Sequence, residues 1–345
     1  MGTIVLLDLM GGVALLLWGL HMVQSGVLRA FGADLRRVLS KALGNRFAAF
    51  GAGLGLTALL QSSTATGLMT ASFATEGMVG LVPALAIMLG ANVGTTLIVQ
   101  VLSFNVAAIA PVLFVIGLLA FRGGSRTRLK DIGRVSIGLG LTLLSLHILL
   151  DTLAPAENAP GARVLLNAIT DDPVMCIVIA AVLTWAAHSS VATVLLIMSL
   201  AYSHFVTPAG ALALVLGANL GSAINPVIES TRRGDPASYR LPVGNLLNRL
   251  VGVVLVAPFL HPIAHALQSF QPDMAKMTAA FHMAFNIAMA AIFIGLLDPL
   301  AWLLEKVFPA RKQAGDAAAP RYLDDGALDT PTLALRCRRE RLLKV

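Results

Sequence analysis

The sequence predicts an all-α polytopic membrane protein with two inverted-topology repeats, each a helix, a re-entrant hairpin and two further helices, followed by one final transmembrane helix. Three observations predict this fold class. Of the 345 residues, 57% are hydrophobic and only 12% are charged, about half the charged fraction of a typical soluble protein. Two polar stretches, QSSTATG at 61–67 and HSSVATV at 188–194, interrupt apolar zones. These stretches and their surroundings also repeat along the chain.

Seven apolar runs predict transmembrane helices, and the first is expected to be retained because MGTIVLLD lacks the basic region of a signal peptide. The runs are 4–28, 81–103, 105–121, 133–151, 208–228, 240–260 and 277–303. Two further apolar zones, 47–76 and 173–203, contain the polar stretches. As a helix, the 14 residues at 47–60 would be about 21 Å long, against about 30 Å for a bilayer core. Length alone leaves each zone as one crossing helix or a pair of short ones.

Loop charge favours a pair of short helices in both zones. The loops at 29–46 and 122–134 each carry five basic residues, so both are expected in the cytoplasm. Two clear spans and the first zone separate them, and an even number of crossings makes that zone a hairpin that enters and leaves on one side. The acidic loop at 151–173 suits the outside, and the loop with Arg232, Arg233 and Arg240 is basic again. Only one clear span, 208–228, separates the two loops, so the second zone becomes a hairpin that enters from outside. The C-terminus is then cytoplasmic, and the chain is a multi-pass protein of the cell (inner) membrane.

The chain repeats itself at a constant offset of 127 residues. SSTAT at 62–66 recurs as SSVAT at 189–193, and GANVG at 90–94 recurs as GANLG at 217–221. Aligned without gaps, 61–96 and 188–223 share 16 of 36 residues. Inverted repeats of this kind are the architecture of secondary transporters, whose site lies near the membrane midplane. The two polar stretches are therefore expected to approach each other there.

A hairpin tip at membrane depth offers ligands for ions of both signs. The carbonyl end of one half-helix suits Na⁺, and the N–H end of the next suits an anion. Ser and Thr hydroxyls serve both, since each donates and accepts hydrogen bonds. The alternative use of such residues is interhelical hydrogen bonding, and a second copy at the equivalent position favours binding. The Gly-Ala-Asn-x-Gly blocks are interpreted as helix breaks, where Asn92 and Asn219 offer oxygen ligands.

These residues resemble the bacterial branch of the type II sodium/phosphate cotransporters, which carry a Gln-Ser-Ser-Ser stretch at the re-entrant tip of each inverted repeat. The copies here are QSST at 61–64 and HSSV at 188–191, and GNLLNRLVG at 244–252 and FHMAFN at 281–286 resemble the family's His-x-x-Phe-Asn helices. The resemblance covers residues 5 to about 305. It implies sodium-coupled transport of inorganic phosphate by alternating access, with Na⁺ as coupling ion and no further cofactor. No enzymatic activity is expected.

The tip chemistry and the resemblance together predict two overlapping sets of ligands, with no catalytic residue and no metal other than Na⁺. The predicted phosphate ligands are Ser62, Ser63, Thr64, Ser189 and Ser190. The predicted sodium ligands are Gln61, Ser62, Thr66, Asn92, Thr95, His188, Ser189, Thr193, Asn219 and Ser222. His188 departs from the family pattern and can change charge near neutral pH, and Val191 lacks a hydroxyl. Arg249 is expected to extend towards the cytoplasm, with anion contact as the alternative.

The predicted organisation is a membrane transport domain at 1–308 and a cytoplasmic linker and tail at 309–345 that resembles the start of a PhoU-like region. Within the transport domain, repeat 1 spans about 5–122, repeat 2 about 133–260, and the extra helix 277–303. Predicted partners are phosphate, Na⁺ and the lipid bilayer, with a homodimer and a cytoplasmic regulatory partner as further candidates. The net charge of +7 is explained by the basic loops, so no nucleic acid is expected. Two rival functions stay open: sodium-coupled transport of another small oxoanion or carboxylate, and a non-transporting membrane phosphate sensor.

Overall fold

Helices make up nearly all of the described chain, as expected of a backbone that must satisfy its own hydrogen bonds in lipid. The computed structural model describes residues 2–41, 44–75, 78–103, 109–123, 127–153, 170–230 and 235–310. The predicted tail lies outside the described residues from 311 onward. The helices in the described ranges are α1 (Gly2–Lys41), α2 (Arg46–Leu60), α3 (Ser63–Thr75), α4 (Leu81–Leu102), α5 (Ala110–Gly123), α6 (Thr127–Leu153), α7 (Pro173–Ala187), α8 (Ser190–Tyr202), α9 (Pro208–Ser230), α10 (Arg240–Val256), α11 (Leu260–Phe270), α12 (Met274–Phe293) and α13 (Leu297–Val307).

Six helical segments within the described ranges are long and apolar enough to cross a membrane. They are Ile4–Gly32, Leu81–Leu102, Thr127–Thr152, Pro208–Ser230, Pro236–Phe270 and Met274–Phe293. Large apolar side chains are exposed on the outer helices, among them Val115 and Leu119 of α5 and Val178 of α7. Exposed apolar surface of this extent is typical of a lipid-facing protein. The predicted all-α class with membrane-spanning helices is confirmed.

Each polar zone forms two short helices rather than one long one. Helices α2 and α7 have 15 residues each, and α3 and α8 have 13 each. At 1.5 Å per residue each is roughly 20 Å long, which is less than the ~30 Å of a bilayer core. The helix breaks agree with the predicted hairpins, while the opposite directions from which they would enter the membrane stay a prediction.

The helices that carry the Gly-Ala-Asn-x-Gly blocks are continuous, so the prediction of helix breaks there is wrong. Helix α4 packs on α2, and α9 packs on α7 in the same way. A Cβ added to Gly90 would lie 1.9 Å from the carbonyl oxygen of Phe50, and one added to Gly217 would lie 2.2 Å from that of Ile177. The glycines let two backbones touch, which is a common use of small residues between membrane helices. The helices stay intact because no water replaces a lost backbone hydrogen bond.

Two predicted helices in the last third of the chain are divided. The segment predicted as one helix at 277–303 forms α12 and α13, because the ring of Pro299 clashes with a helical carbonyl four residues earlier. The run at 240–260 ends as α10 at Val256, and a 3₁₀ turn, Ala257–Phe259, leads into α11. Pro258 lies in that turn, where its missing N–H does no harm.

Helices α4 and α9 occupy the centre of the packing. In each of them 78% of the residues in the most apolar window are buried, against 22% for α1. The two are equivalent in the repeat, and each lies beside a pair of short helices. Each of these two buried helices carries one glycine block and packs against both short helices of its own repeat.

Candidate functional site

The first break is a turn of two residues between α2 and α3. Gln61 ends α2 in the left-handed region, with φ of 53°, while its N–H still donates to the carbonyl of Thr57 at 2.8 Å. Ser62 then caps α3, since its Oγ accepts a hydrogen bond from the N–H of Ala65 at 3.1 Å. A serine cap satisfies one of the free N–H groups at a helix start. Residues 61–64 are called the first tip below.

The second break repeats this geometry. His188 ends α7 with φ of 52°, and the Oγ of Ser189 accepts from the N–H of Ala192 at 3.2 Å to cap α8. A non-glycine residue in the left-handed region costs roughly 1–2 kcal/mol, and such residues cluster at functional sites. The same strained residue and the same cap at both positions extend the sequence repeat to local structure. Residues 187–191 are called the second tip.

The two tips line one cavity of about 190 Å³, which we call the tip cavity. One water occupies about 30 Å³ in the liquid, so the cavity has room for a small oxoanion with bound waters. Its lining combines both tips with one face of α1. The lining residues are Leu17, Leu20, His21, Gln24, Gln61, Ser62, Ser63, Thr64, Ala187, His188, Ser189, Ser190 and Val191. All five predicted phosphate ligands are among them.

The chemistry of the tip cavity suits an anion. Helices α3 and α8 both begin at it, and the first N–H groups of a helix have no partner within the helix. Ser62 and Ser189 accept hydrogen bonds through Oγ, so each hydroxyl hydrogen is left to donate. The described residues that line the cavity include no Asp or Glu that would repel an anion.

Four of the ten predicted sodium ligands lie at the tip cavity. Gln61, Ser62, His188 and Ser189 line the tip cavity, and the Oε1 of Gln61 is buried without a hydrogen-bond partner among the described residues. An unpaired amide oxygen of this kind can take a cation. Thr66 lies one turn further along α3, where its Oγ1 donates to the carbonyl of Ser62 at 3.2 Å.

Behind each tip lies a pair of threonines that the two repeats use differently. In the first repeat, Oγ1 of Thr66 is 2.7 Å from Oγ1 of Thr57. In the second, Thr193 donates to the carbonyl of Ser189 at 3.1 Å, and the Oγ1 of Thr184 is buried without a hydrogen-bond partner among the described residues. Sequence reasoning did not single out Thr57 or Thr184, although the two threonines are separated by the same 127 positions as the tips.

Three of the other predicted sodium ligands surround Arg249 instead of the tip cavity. The guanidinium of Arg249 donates to Oδ1 of Asn92, to the carbonyl oxygen of Asn219 and to Oγ of Ser222. Arg249 is only 5% exposed, so the expectation that it extends to the cytoplasm is wrong. Three oxygen partners are available inside the protein, so the guanidinium does not need the aqueous phase. Thr95 is not part of this group, since its Oγ1 donates to the carbonyl of Ala91 at 3.0 Å.

Two more asparagines complete the polar network around Arg249. The Nδ2 of Asn92 donates to Oδ1 of Asn245 at 3.1 Å, and the Nδ2 of Asn286 donates to Oδ1 of Asn219 at 3.0 Å. Asn286 thereby links α12 to α9. The sequence contained no pattern that singled out Asn245, and the part that Arg249 plays needs helices far apart in the chain.

A second, wider cavity of about 560 Å³ begins at the second tip. His188 lines both cavities. From there the wide cavity runs between α3, α7, α9 and α10, and it reaches Glu229 and Ser230 at the end of α9. His188 therefore separates the serines of the tips from the residues that line the wide cavity.

Comparison with known proteins gives a family and several relatives. The sequence profile of the Na⁺/Pi-cotransporter family matches residues 15–151 and 157–298. The chain is 37% identical over 340 residues to "Putative inorganic phosphate export protein YjbB" of Escherichia coli (strain K12), and to the protein of the same name in Salmonella typhimurium. The aligned segment includes 99% of this chain but only 62% of the length of each of these relatives.

A more distant relative and the solved structures complete the comparison. Over 308 residues the chain is 25% identical to "Uncharacterized protein YqeW" of Bacillus subtilis (strain 168), which it covers completely. No solved structure matches the chain.

Proposed function

The chain belongs to the Na⁺/Pi-cotransporter family, and on that premise we propose that it carries inorganic phosphate across a membrane through the tip cavity, coupled to Na⁺. It is a multi-pass membrane protein. One observation carries the proposal: two equivalent polar tips, far apart in sequence, line the same small cavity. A lone Ser-Thr stretch has a packing explanation, whereas two matching helix starts at one cavity form a paired anion site.

The tips would hold phosphate without a charged ligand. The helix starts of α3 and α8 bring two sets of N–H groups and a positive partial charge to the cavity. Ser63 and Ser190 lie at these starts, each almost fully buried, so an anion would exchange water for N–H and O–H donors. Neutral donors release an anion more easily than a buried arginine pair would, which suits a solute that must leave again.

A coupling cation would use the opposite ends of the same breaks. Gln61 ends α2 and has an unpaired buried Oε1 at the tip cavity. The carbonyl end of a half-helix carries a negative partial charge that favours a cation. An anion and Na⁺ in neighbouring positions attract each other in a cavity of low dielectric constant, and this attraction is the physical basis proposed for coupling.

Alternating access would connect the tip cavity to one side of the membrane at a time. The wide cavity offers such a route, with His188 where the two cavities meet. It ends beside the C-terminus of α9, which precedes the loop with Arg232, Arg233 and Arg240, and such a basic loop is typical of the cytoplasmic side. We therefore propose that this conformation is open towards the cytoplasm.

Outward movement of phosphate is the second candidate. It is supported by the two relatives whose names describe phosphate export. The same site serves both directions, because the gradients of phosphate and Na⁺ decide the net flux of a coupled transporter. Transport of another small oxoanion and phosphate sensing without transport are the remaining alternatives.

Proteoliposomes with the purified chain test the proposal. Radiolabelled phosphate should enter when an inward Na⁺ gradient is imposed, and entry should fall when choline replaces Na⁺ or when unlabelled phosphate is in excess. Inhibition by sulfate or succinate as strong as that by phosphate would favour another substrate. Saturable phosphate binding without flux would favour a sensor. Phosphate flux that ignores Na⁺ would remove sodium coupling and leave phosphate transport in place.

A further inference from the structure

Arg249 lies among oxygen atoms that would otherwise suit a free cation. Its partners are an amide oxygen of Asn92, a backbone carbonyl oxygen of Asn219 and a hydroxyl oxygen of Ser222. We infer that the guanidinium of Arg249 is a tethered cation, which occupies the position of a coupling Na⁺ between the two repeats. This inference rests on the proposed function, since it concerns how many sodium ions accompany phosphate.

No carboxylate in the described part of the chain forms an ion pair with Arg249. A charged group inside a membrane protein is costly unless polar groups surround it. Secondary transporters coordinate Na⁺ with neutral oxygens, typically backbone carbonyls of unwound helices, and the oxygens around Arg249 are also neutral although α4 and α9 are continuous. Here the neutral oxygens are directed at a guanidinium.

The oxygens are held in place by a second set of asparagines. Asn245 accepts from Nδ2 of Asn92 at 3.1 Å, which turns Oδ1 of Asn92 towards Arg249. Asn286 donates to Oδ1 of Asn219 at 3.0 Å, which leaves the backbone carbonyl of Asn219 to face the guanidinium. Asn92 and Asn219 are equivalent in the repeat, so one positive charge bridges matching positions of the two halves.

A role of Arg249 as a phosphate ligand fits the structure less well. Arg249 lines neither the tip cavity nor the wide cavity. The hydrogen bonds of its two terminal nitrogens go to protein oxygens, and its Nε is buried without a partner among the described residues. An arginine that binds a transported anion has to present N–H groups to the solute path. The cation therefore stays with the protein throughout transport.

A tethered cation removes one mobile ion from the transport cycle. With a Na⁺ gradient of about tenfold and a potential of about 100 mV, each coupling ion changes the attainable phosphate ratio roughly 500-fold. One ion fewer therefore weakens inward drive by that factor, and it makes net outward movement of phosphate easier. The tip cavity keeps its own Gln61 for a sodium ion that does move.

Two variants of Arg249 test the inference. Arg249→Ala leaves the oxygen cage without a cation, and Arg249→Lys keeps a positive charge there. The measurement is the melting temperature of the purified protein in NaCl and in choline chloride at equal ionic strength. We expect Arg249→Ala to melt lower than wild type in choline and to gain on the order of a few degrees more from Na⁺ than wild type does, by mass action. Arg249→Lys should gain no more from Na⁺ than wild type.

Added guanidinium at millimolar concentration should stabilise Arg249→Ala in choline and leave wild type unchanged. In transport, Arg249→Ala should show a Na⁺ Hill coefficient higher than that of wild type, because a second ion now binds. A folded Arg249→Ala that gains nothing extra from Na⁺ or guanidinium would overturn the inference, as would equal extra stabilisation of Arg249→Lys. If Arg249→Ala folds neither in high Na⁺ nor in choline, the cage does not accept Na⁺ and the inference also fails. The melting measurement needs no phosphate flux, so its outcome is independent of the proposed function.

Discussion

Removing the hydroxyl of Ser190 should weaken phosphate binding strongly, because Ser190 begins α8 at the tip cavity. Its side chain is a donor at a helix start that already favours anions. Ser190 is 7% exposed, and its counterpart Ser63 is 5% exposed. Both serines are thus enclosed by protein and face the anion only from the cavity, and the substitution Ser190→Ala leaves one phosphate oxygen without that donor.

The expected magnitude follows from this burial. A hydrogen bond to a charged group contributes about 1.5–3 kcal/mol, and every 1.4 kcal/mol is about tenfold in affinity. Ser190→Ala should thus raise the phosphate dissociation constant by roughly 10- to 150-fold. Ser63→Ala should have an effect of the same size, because the two serines are equivalent in the repeat and line the same cavity.

The assay is equilibrium binding of radiolabelled phosphate to purified protein at fixed pH and Na⁺, together with half-saturation of uptake in proteoliposomes. Ser199→Ala is the matched control: Ser199 is on the same helix, is buried, and its Oγ donates to the carbonyl of Leu195 at 3.1 Å. The control should bind phosphate like wild type. Unchanged affinity in a folded Ser190→Ala protein would refute the argument and move the anion away from the tips. A large effect of Ser63→Ala alone would confine the anion to the first tip.

Three further predictions concern stability and can be measured as melting temperatures. Gly217→Ala should destabilise the protein severely, since the added Cβ would lie 2.2 Å from the carbonyl oxygen of Ile177. Gly51→Ala is its control and should be neutral or stabilising, because a Cβ at Gly51 would have no atom within 4 Å. Ser189→Ala should cost about 0.5–2 kcal/mol through the lost cap of α8 and Ser189→Gly only a few tenths; equal melting of the two variants would contradict the capping role. His188→Gly and His204→Gly should each raise the melting temperature, because both histidines have φ of 52°, but only the first should impair phosphate uptake.

The positions of the two helix breaks were predicted from the sequence, whereas the left-handed residue and the serine cap at each break were found only in the structure. A left-handed residue followed by a capping serine is a local structure, decided by a few neighbouring residues such as Ser62 and Ala65. The repeat at 127 residues then placed a second copy at Ser189. That both copies line one cavity could be expected because inverted repeats bring equivalent segments together.

The glycine blocks show where a local pattern is ambiguous. A glycine in an apolar helix either loosens the backbone or lets another helix approach closely. The sequence around Gly90 is the same in both cases, and only the carbonyl of Phe50 across the interface distinguishes them. Helix ends in the last third were missed for a related reason: the apolar run at 277–303 continues across a break that Pro299 causes.

The sequence by itself determined the helical membrane class, the two polar breaks and their repeat, because hydropathy and residue patterns act over short stretches of chain. The tertiary structure alone decided that Arg249 turns inward. Its three oxygen partners are 27, 30 and 157 residues away in the chain, so no short stretch contains them together. A charged side chain on an apolar helix is stable inside a protein only where polar oxygens contact it. Only the packing of α4 and α9 against α10 brings Asn92, Asn219 and Ser222 to one guanidinium.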